Sequence, residues 1–341
     1  MKNLVTGGSG FLGSRIVRRL AERGEEVISV DLWEDTARPP GVRYCRCDVR
    51  DRATLDSLMK GVDVVHHNAA LVPLAKSGKE FRAVNVDGSR IAAEVAAANR
   101  VKAFIHMSSS AIFGIPSEVP ITASTRALPV EAYGRSKMDG ESAVSNACAR
   151  GGIPLIIVRP RTILAEGRLG IFQILFDWIS ESRSVYVIGS GDFPYQFVHA
   201  DDLMDAYLLA LDLGKPGIYN VGTDDYGTLR GTLESIISFA HSRSKVRSLP
   251  VWPTITTLGI LDRLGLIPLA PWHYLTYHKP FAFDVEPLKK LGWKPRYSND
   301  RMFQSSYMWF LEHRSDVVSD CASPHRKAVR EGILRILRNL S

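Results

Sequence analysis

The sequence predicts an α/β protein: a doubly wound parallel sheet of the Rossmann type with a smaller, mixed C-terminal substrate lobe. Three observations support this fold class. A glycine-rich turn follows the first β-type segment at residues 3–6, and an acidic residue ends the second strand about twenty residues later. Strands and helices then alternate to about residue 160. Such alternation is typical of a parallel sheet with helices on both faces.

The first turn has glycines at the spacing of a dinucleotide fingerprint, and apolar residues recur after it at helical spacing. Such a turn directs the first N–H groups of the helix, and the positive end of its dipole, at a pyrophosphate. Taken alone, the turn is also compatible with a glycine-rich loop that binds nothing. The predicted cofactor contacts in this turn are Gly7, Gly10, Phe11 and Leu12, and Gly13 is the third glycine of the pattern.

Asp31 ends the second predicted strand, at residues 25–30. A carboxylate at this distance from the glycine turn accepts hydrogen bonds from the adenosine ribose hydroxyls and repels a 2′-phosphate. The alternative is an aspartate that merely ends a strand. The position of Asp31 predicts NAD rather than NADP as the cofactor.

The rest of this half continues the alternation. Small residues follow the fourth strand, and Ala69 among them lets a cofactor lie across the sheet edge. The segment at residues 111–130 lacks periodicity and is predicted to be a loop at the ligand-binding edge. The remaining predicted strands are at 42–47, 62–66, 102–107 and 155–158, and the predicted helices are at 53–60, 79–99 and 131–150.

Tyr133, Lys137 and Ser109 form the predicted catalytic group. Tyr133 and Lys137 are one helical turn apart, and Ser109 follows the fifth strand. A phenol titrates near ~10, and a neighbouring ammonium group lowers that pKa by stabilising the phenolate. Lys137 would also donate to the nicotinamide ribose, and Ser109 would share a hydrogen bond with the substrate hydroxyl. Together they would form a proton relay for oxidising a secondary alcohol, although Tyr-x-x-x-Lys also occurs by chance and serine triplets often form turns.

The second half departs from simple alternation. We predict a helix at 171–179, a strand at 184–188, a helix opening near residue 200, a strand at 217–221, a helix at 228–242 and short helices as far as about residue 313. The predicted domains are a Rossmann domain at 1–170 to which 196–224 returns, a substrate lobe at 171–195 and 225–315, and a basic amphipathic tail at 316–341.

Composition excludes several classes of function. The net charge is +7, and more than half of the excess lies in residues 323–341, so the body offers no broad nucleic-acid surface. The cysteines lack metal-binding spacing, which favours reduced thiols and no metal site.

A first strand at residue 2 or 3 leaves no room for a cleaved signal peptide, so we expect a cytoplasmic protein. A helix at 324–341 is suited to an anionic membrane surface or a partner, and its alternative is packing on its own body.

With these motifs in this order, the chain resembles the extended short-chain dehydrogenases, a group of sugar epimerases, dehydratases and 3β-hydroxysteroid dehydrogenases. The resemblance covers roughly residues 1–313. It implies adenine contacts at Asp48 and Val49, a central helix containing the cofactor-binding Asn85, and a homodimer formed through the helices at 79–99 and 131–150. The matching motifs are Thr6-Gly7-Gly8-Ser9-Gly10-Phe11-Leu12-Gly13, Asn85-Val86-Asp87-Gly88-Ser89, Tyr133-Gly134-Arg135-Ser136-Lys137, Val158-Arg159-Pro160, Phe197-Val198-His199-Ala200-Asp201-Asp202 and Tyr219-Asn220-Val221-Gly222.

Two departures from the group narrow the expected reaction. Ser110 and Ala111 stand where the 4,6-dehydratases have Asp-Glu, which disfavours dehydration. Tyr195-Gln196 replaces an arginine that many nucleotide-sugar epimerases use to grip the diphosphate, for which Arg159, Arg161 and Arg168 are the candidate replacements. The predicted substrate contacts are Ser110, Arg159, Arg161, Tyr195 and His199.

The resemblance implies an NAD-dependent oxidoreductase or epimerase that acts on a secondary alcohol of a sugar or nucleotide sugar. One alternative is a 3β-hydroxysteroid-like or lipid alcohol dehydrogenase, favoured by the apolar segment at 249–277. Another is an NAD-sensing binding protein without turnover. The expected partner is therefore a small molecule, either a sugar or an alicyclic alcohol.

Overall fold

Eleven strands are present in the computed structural model, which describes residues 1–73, 78–267 and 269–314. They are β1 (Lys2–Thr6), β2 (Glu26–Asp31), β3 (Arg43–Arg46), β4 (Val64–His67), β5 (Ala103–Met107), β6 (Leu155–Pro160), β7 (Thr162–Ile163), β8 (Val185–Ile188), β9 (Phe197–Val198), β10 (Gly217–Val221) and β11 (Val246–Leu249). The tail at 316–341, with Cys321, lies outside the described residues.

The main sheet has seven parallel strands in the order β10-β6-β5-β4-β1-β2-β3. The chain builds outward from β1 to β3 and then returns to the other side of β1 with β4. This reversal is a topological switch point, where open α/β sheets bind ligands beyond the carboxyl ends of their strands. The predicted fold class is confirmed.

The described helices flank this sheet or build the region after residue 170. They are α1 (Phe11–Glu22), α2 (Arg52–Met59), α3 (Glu80–Arg82), α4 (Ser89–Ala98), α5 (Ala132–Gly151), α6 (Phe172–Ser180), α7 (Ala200–Leu213), α8 (Leu229–Phe239), α9 (Val251–Arg263), α10 (Pro271–Thr276), α11 (Glu286–Lys290) and α12 (Asn299–Glu312). A π-helical segment, Ala83–Gly88, joins α3 to α4, and a short 3₁₀ turn follows β5 at Ser110–Phe113.

Alternate residues of the strands build two cores, one on each face of the sheet. Leu4 and Phe104 point to the face covered by α2, α4 and α5, whereas their neighbours Val5 and Ile105 belong to the core under α1 and α7. The second of these cores continues into the region after residue 170 and contains Phe303. The sheet and the later region therefore share one apolar interior.

Two predictions in the later region were wrong. Residues 251–263 and 299–312, predicted to hold short helices, form the long helices α9 and α12. Helix α9 has no fully buried side chain, its half-buried face includes Val251, Ile255 and Leu258, and Pro253 lies in its first turn, where proline is tolerated. Helix α12 did have a signal, because Ser298 accepts a hydrogen bond from the backbone N–H of Arg301, as an N-cap does.

The predicted helix at 79–99 is interrupted by the π-helical segment, and a 3₁₀ turn begins inside the predicted loop. In the described part of the chain, no helix is both long and apolar enough to cross a membrane. Cys45, Cys47 and Cys148 are free thiols.

Candidate active site

A cleft of about 680 Å³ opens at the carboxyl ends of the central strands. Its floor is the turn between β1 and α1 together with the ends of β2, β4 and β5. The start of α5 and the segments around residues 160–172 and 272–277 form the opposite wall. The cleft thus lies at the switch point of the sheet and extends under the later part of the chain.

The glycine turn has the shape that a dinucleotide phosphate needs. Gly7 has a φ of +67°, a conformation that favours glycine, and a Cβ on Gly13 would lie 1.9 Å from the carbonyl oxygen of Gly7. Gly10 precedes α1 and makes no side-chain cap, so the first N–H groups of the helix are left for a ligand. Gly7, Gly10, Phe11 and Leu12 all line the cleft. The cradle therefore fits a pyrophosphate.

Asp31 also lines the cleft and joins β2 to the glycine turn. Its Oδ2 accepts a hydrogen bond from the Ser9 N–H at 3.1 Å, and its Oδ1 accepts one from the Leu32 N–H at 2.7 Å. These backbone bonds hold the carboxylate at the strand end.

We expect Asp31→Ala to weaken discrimination against NADPH, because the negative charge that repels a 2′-phosphate is removed. The ratio of the Kd for NADPH to the Kd for NADH, measured by fluorescence titration, should fall about tenfold or more. Asp31→Asn is the control for shape, since it removes the charge and keeps the side chain size. An unchanged ratio in both variants would contradict the inference that the charge of Asp31 sets the preference for NAD over NADP.

The remaining predicted adenine-side residues also line the cleft. Asp48 is held by Arg50, whose Nη2 lies 2.7 Å from Oδ2, and this hydrogen bond lowers the pKa of the Asp48 carboxyl. Val49 contacts Gly88, where a Cβ would come within 2.7 Å of Val49 Cγ2. The backbone N–H of Ala69 donates to Thr6 Oγ1 at 3.3 Å.

Asn85, a predicted cofactor contact, does not line the cleft. Its Oδ1 accepts from the Leu71 N–H at 2.8 Å, and its Nδ2 donates to the Leu71 carbonyl at 3.1 Å and to Ser136 Oγ at 3.0 Å. Its polar groups are thus engaged in tying the segment after β4 to α5. These contacts place Asn85 between the segment after β4 and α5, and its contact with the cofactor stays a prediction.

Tyr133 and Ser109 meet in the cleft, each positioned by its own helix cap. Glu131 caps α5 by accepting from the N–H groups of Tyr133 and Gly134, at 2.7 and 2.6 Å. Ser109 precedes the 3₁₀ turn and accepts from the Ala111 N–H at 3.2 Å. Both side chains line the cleft beside the glycine turn. The chain therefore brings the predicted proton-transfer pair to the cofactor-shaped cradle.

Burial raises the pKa of Tyr133, and the hydrogen bond from Ser109 and the positive charge of Arg168 oppose this rise only in part. The net direction is opposite to the lowered pKa expected from the sequence. The expectation was wrong because it ignored desolvation, which penalises a buried phenolate. Arg168, which lines the same cleft, is a cationic neighbour of Tyr133 that sequence spacing did not reveal.

Lys137 is fully enclosed at the base of the cleft, and its Nζ donates to the Met107 carbonyl at 2.7 Å. Burial lowers the pKa of its ammonium group to about 8, against the opposing charge of Glu141. At neutral pH the side chain is therefore largely charged, and burying this charge lowers the free energy of unfolding of the protein.

This depressed pKa predicts a pH-dependent stability. Between the folded pKa of about 8 and the unfolded pKa of ~10.4, the unfolded chain holds a proton that the native protein has released, so native stability rises with pH. Relative to Lys137→Met, the free energy of unfolding of the wild type should rise by about 2 kcal/mol between roughly pH 7.5 and 9.5. Urea denaturation at both pH values measures this difference, and a fall instead of a rise would contradict the buried charged lysine.

Three predicted substrate contacts, Arg159, Tyr195 and His199, lie outside the cleft lining. Arg159 donates from Nη2 to Glu141 Oε2 at 2.6 Å and from Nε to Oε1 at 2.8 Å, so it belongs to a buried ion pair. Tyr195 is fully buried, with its ring 5.1 Å from the guanidinium carbon of Arg161. Their side chains build the wall behind the site.

His199 is the third of these residues. Its ring stacks on Tyr297 at 3.6 Å, and its Nδ1 accepts from the Asp201 N–H at 3.2 Å, which caps α7. The other ring nitrogen lies 3.1 Å from Glu166 Oε2, and this hydrogen bond lowers the pKa of Glu166 to about 2. His199 therefore anchors the start of α7. Of the predicted substrate contacts, Ser110 and Arg161 do line the cleft.

Comparison with known proteins agrees with this geometry. Residues 3–222 match the NAD dependent epimerase/dehydratase family. The chain belongs to that family. Its assignment to the extended short-chain dehydrogenases is thereby confirmed, as is NAD as the predicted cofactor.

Relatives within this family cover nearly the whole chain. The uncharacterized protein y4nG of Sinorhizobium fredii is 38% identical over 98% of this chain and 85% of its own length. The UDP-glucose 4-epimerase of Lactobacillus helveticus is 27% identical over 92% of this chain and 98% of its own. The dTDP-glucose 4,6-dehydratase DesIV of Streptomyces venezuelae, solved with NAD and TYD bound, shares the fold with a TM-score of 0.75 at 22% identity. The match covers 92% of this chain and 98% of that one.

Proposed function

We propose that this family member catalyses NAD-dependent epimerisation or oxidation at a secondary alcohol of a sugar or nucleotide sugar. The observation that carries the proposal is the meeting of Tyr133 and Ser109 in one cleft with the glycine turn and Asp31. The residues proposed to hold NAD are the glycine turn, Asp31, Asp48, Val49, Ala69 and Lys137. When bound, NAD supplies the acceptor for a hydride from the alcohol carbon and, in an epimerase, returns it to the opposite face.

The protein's own side chains would manage the proton. Ser109 would donate a hydrogen bond to the substrate oxygen and hold it near Tyr133. Tyr133 would take the hydroxyl proton as the alcohol becomes a ketone, and return that proton when the alcohol re-forms. Arg168 supports the phenolate in this role, since its charge opposes the rise in the Tyr133 pKa. Lys137 would bind the cofactor ribose from below.

The side chains next to Ser109 favour this reaction over dehydration. Elimination of water needs an acid and a base at the site. Ser110 and Ala111 follow Ser109 in the 3₁₀ turn, and both are buried. A hydroxyl and a methyl group offer no carboxylic acid or carboxylate at these positions. The structural neighbour DesIV is a dehydratase, so the fold itself does not exclude dehydration. The argument against dehydration rests on Ser110 and Ala111.

A second candidate is a steroid-like or lipid alcohol dehydrogenase with the same catalytic group. The aromatic side chains of Trp272 and Tyr277 on the outer wall of the cleft favour it, as does Tyr195 in place of a diphosphate-binding arginine.

The two reactions can be separated by the fate of the cofactor. An epimerase should retain NAD through gel filtration and convert a sugar into its epimer with no net change in absorbance at 340 nm. A dehydrogenase should release NADH in proportion to product. Product analysis by chromatography with simultaneous absorbance decides between them, and a sugar panel that yields neither epimer nor NADH, while a cyclic lipid alcohol yields NADH, would reject the sugar proposal.

We also propose a homodimer in which α4 and α5 meet their counterparts. These helices pack on each other at the surface, with Arg90 and Asp139 partly exposed beside a shallow groove. Analytical ultracentrifugation tests this proposal.

A further inference from the structure

Arg161 carries a buried charge with an incomplete set of partners. Its side chain is 1% exposed, Nε donates to the Gln196 carbonyl at 2.9 Å, and Nη1 donates to Ser110 Oγ at 3.1 Å. Nη2 is buried and makes no hydrogen bond of good geometry among the described residues. Burial lowers the pKa of the guanidinium, and the neutral phenol of Tyr195 is close enough to oppose this shift in part without supplying a negative charge. The guanidinium carbon lies 3.9 Å from the ring centroid of Phe281 and 5.1 Å from that of Tyr195.

Nothing in the described part of the chain neutralises this cation, because the residues in hydrogen-bond or ring contact with it are neutral. A buried guanidinium ordinarily pairs with a carboxylate or a phosphate, since an uncompensated charge is costly in an apolar environment. Arg159, two residues earlier, has such a partner in Glu141. The contrast within one strand end indicates that the counter-ion of Arg161 comes from a ligand.

The hydroxyl of Ser110 indicates where that ligand would bind. A guanidinium group only donates hydrogen bonds, so Ser110 Oγ must act as the acceptor toward Arg161. Its own proton is then left to donate, and it meets no acceptor among the described residues. Ser110 lines the cleft, as does Arg161. The pair therefore offers one hydrogen-bond donor backed by one positive charge.

The position of this pair restricts the ligand. Ser109, which would hold the reacting hydroxyl, is the neighbour of Ser110, and consecutive Cα atoms are only ~3.8 Å apart. A group bound at Ser110 therefore lies near the reacting carbon. A carboxylate on the adjacent carbon satisfies this distance, whereas the diphosphate of a nucleotide sugar is attached several bonds farther away.

We propose that Ser110 and Arg161 form a carboxylate subsite, and that the substrate is a sugar acid whose carboxylate adjoins the carbon bearing the reacting hydroxyl. This assignment rests on the proposed function for the hydroxyl. In a hexuronate, C5 carries the carboxylate and C4 the neighbouring hydroxyl.

The test uses pairs of probes that differ only in the carboxylate: glucuronate against glucose and galacturonate against galactose, each free and UDP-linked. Isothermal titration of the full-length protein saturated with NADH measures binding without turnover. The wild type should bind the acid of at least one pair about tenfold or more tightly than its neutral partner. Ser110→Ala and Arg161→Met should each reduce that preference about tenfold or more.

Arg15→Met is the matched control, because Arg15 is a partly buried arginine outside the cleft lining whose guanidinium carbon lies 4.0 Å from the ring centroid of Phe11. It should leave the preference for the acid unchanged. Ser110→Ala removes a single hydroxyl, so it still tests the subsite if Arg161→Met fails to fold. A thermal melt of each variant checks that it is folded.

Equal or tighter binding of the neutral sugars would overturn the carboxylate subsite, as would a preference that survives in both Ser110→Ala and Arg161→Met. Binding of neither acid would overturn it as well. These outcomes are distinguishable from failure of the proposed function, because binding to the NADH complex requires no chemistry. If the wild type oxidises neutral sugars but does not prefer the acids, the proposed function stands and only the carboxylate subsite is contradicted.

Discussion

Tyr133→Phe is expected to lower kcat by about 10²–10⁴, the usual contribution of a positioned acid–base group. The change removes one oxygen and keeps the aromatic ring, which packs edge-on against Phe81 with centroids 5.9 Å apart. The cleft should therefore retain its shape while losing the group that accepts the hydroxyl proton. Steady-state kinetics at saturating substrate measures the loss.

Cofactor affinity is the control for this variant. The glycine turn and Asp31 lie on other elements of the cleft, so the Kd for NADH should be almost unchanged in Tyr133→Phe. Ser109→Ala should also lose activity, since it removes the hydrogen bond to the tyrosine and the predicted contact to the substrate oxygen. Turnover near the wild-type rate in Tyr133→Phe would overturn the assigned proton transfer.

Glu141→Leu is expected to destabilise the protein by about 3–5 kcal/mol, the usual cost of breaking a buried ion pair. Both side chains of the pair are 9% exposed, and Glu141 also accepts a hydrogen bond from the hydroxyl of Ser108. Removing the carboxylate leaves the guanidinium of Arg159 buried without its counter-ion. Urea denaturation of the single variant measures this loss.

The double variant Glu141→Leu/Arg159→Met separates a structural role from a binding role. Removing both charges should recover most of the lost stability, because buried pairs are often replaceable by apolar residues of similar volume. Arg159→Met alone should leave a carboxylate unpaired and also destabilise the protein. If Glu141→Leu instead costs less than about 1 kcal/mol, the pair does not support the wall behind the site.

The parts of the site that the sequence predicted are those set by local geometry. The glycine turn needs Gly7 at positive φ and Gly13 without a side chain, and both requirements are visible as glycines at fixed spacing. Tyr133 and Lys137 are one turn apart on one helix, so their common location also follows from sequence. The alternation of strands and helices then predicted the confirmed fold class.

The parts that the sequence did not predict depend on partners brought together by the fold. Arg159, Tyr195 and His199 have residue types suited to binding, but their partners Glu141, Arg161 and Glu166 come from other elements. Asn85 is likewise engaged by Leu71 and Ser136. Sequence spacing gives residue type and approximate location, whereas the engagement of each polar group depends on tertiary contacts.

The sequence also could not give the desolvation of the ionisable side chains in the site. The lowered pKa expected for Tyr133 considered a nearby charge and omitted burial, which is the largest cause of its shift. Burial likewise lowers the pKa of Lys137, which the sequence treated as an ordinary ammonium group. Both effects require knowing how much protein surrounds the side chain.

The central claim is that one cleft holds NAD beside Tyr133 and oxidises an alcohol there. Stopped-flow absorbance at 340 nm tests it most directly when wild-type protein saturated with NAD is mixed with the uronates and their neutral counterparts. A transient or lasting rise should appear with at least one sugar in the wild type and be slowed about 10²–10⁴-fold in Tyr133→Phe. A rise of equal rate in both proteins, or none with any of these sugars, would contradict the account.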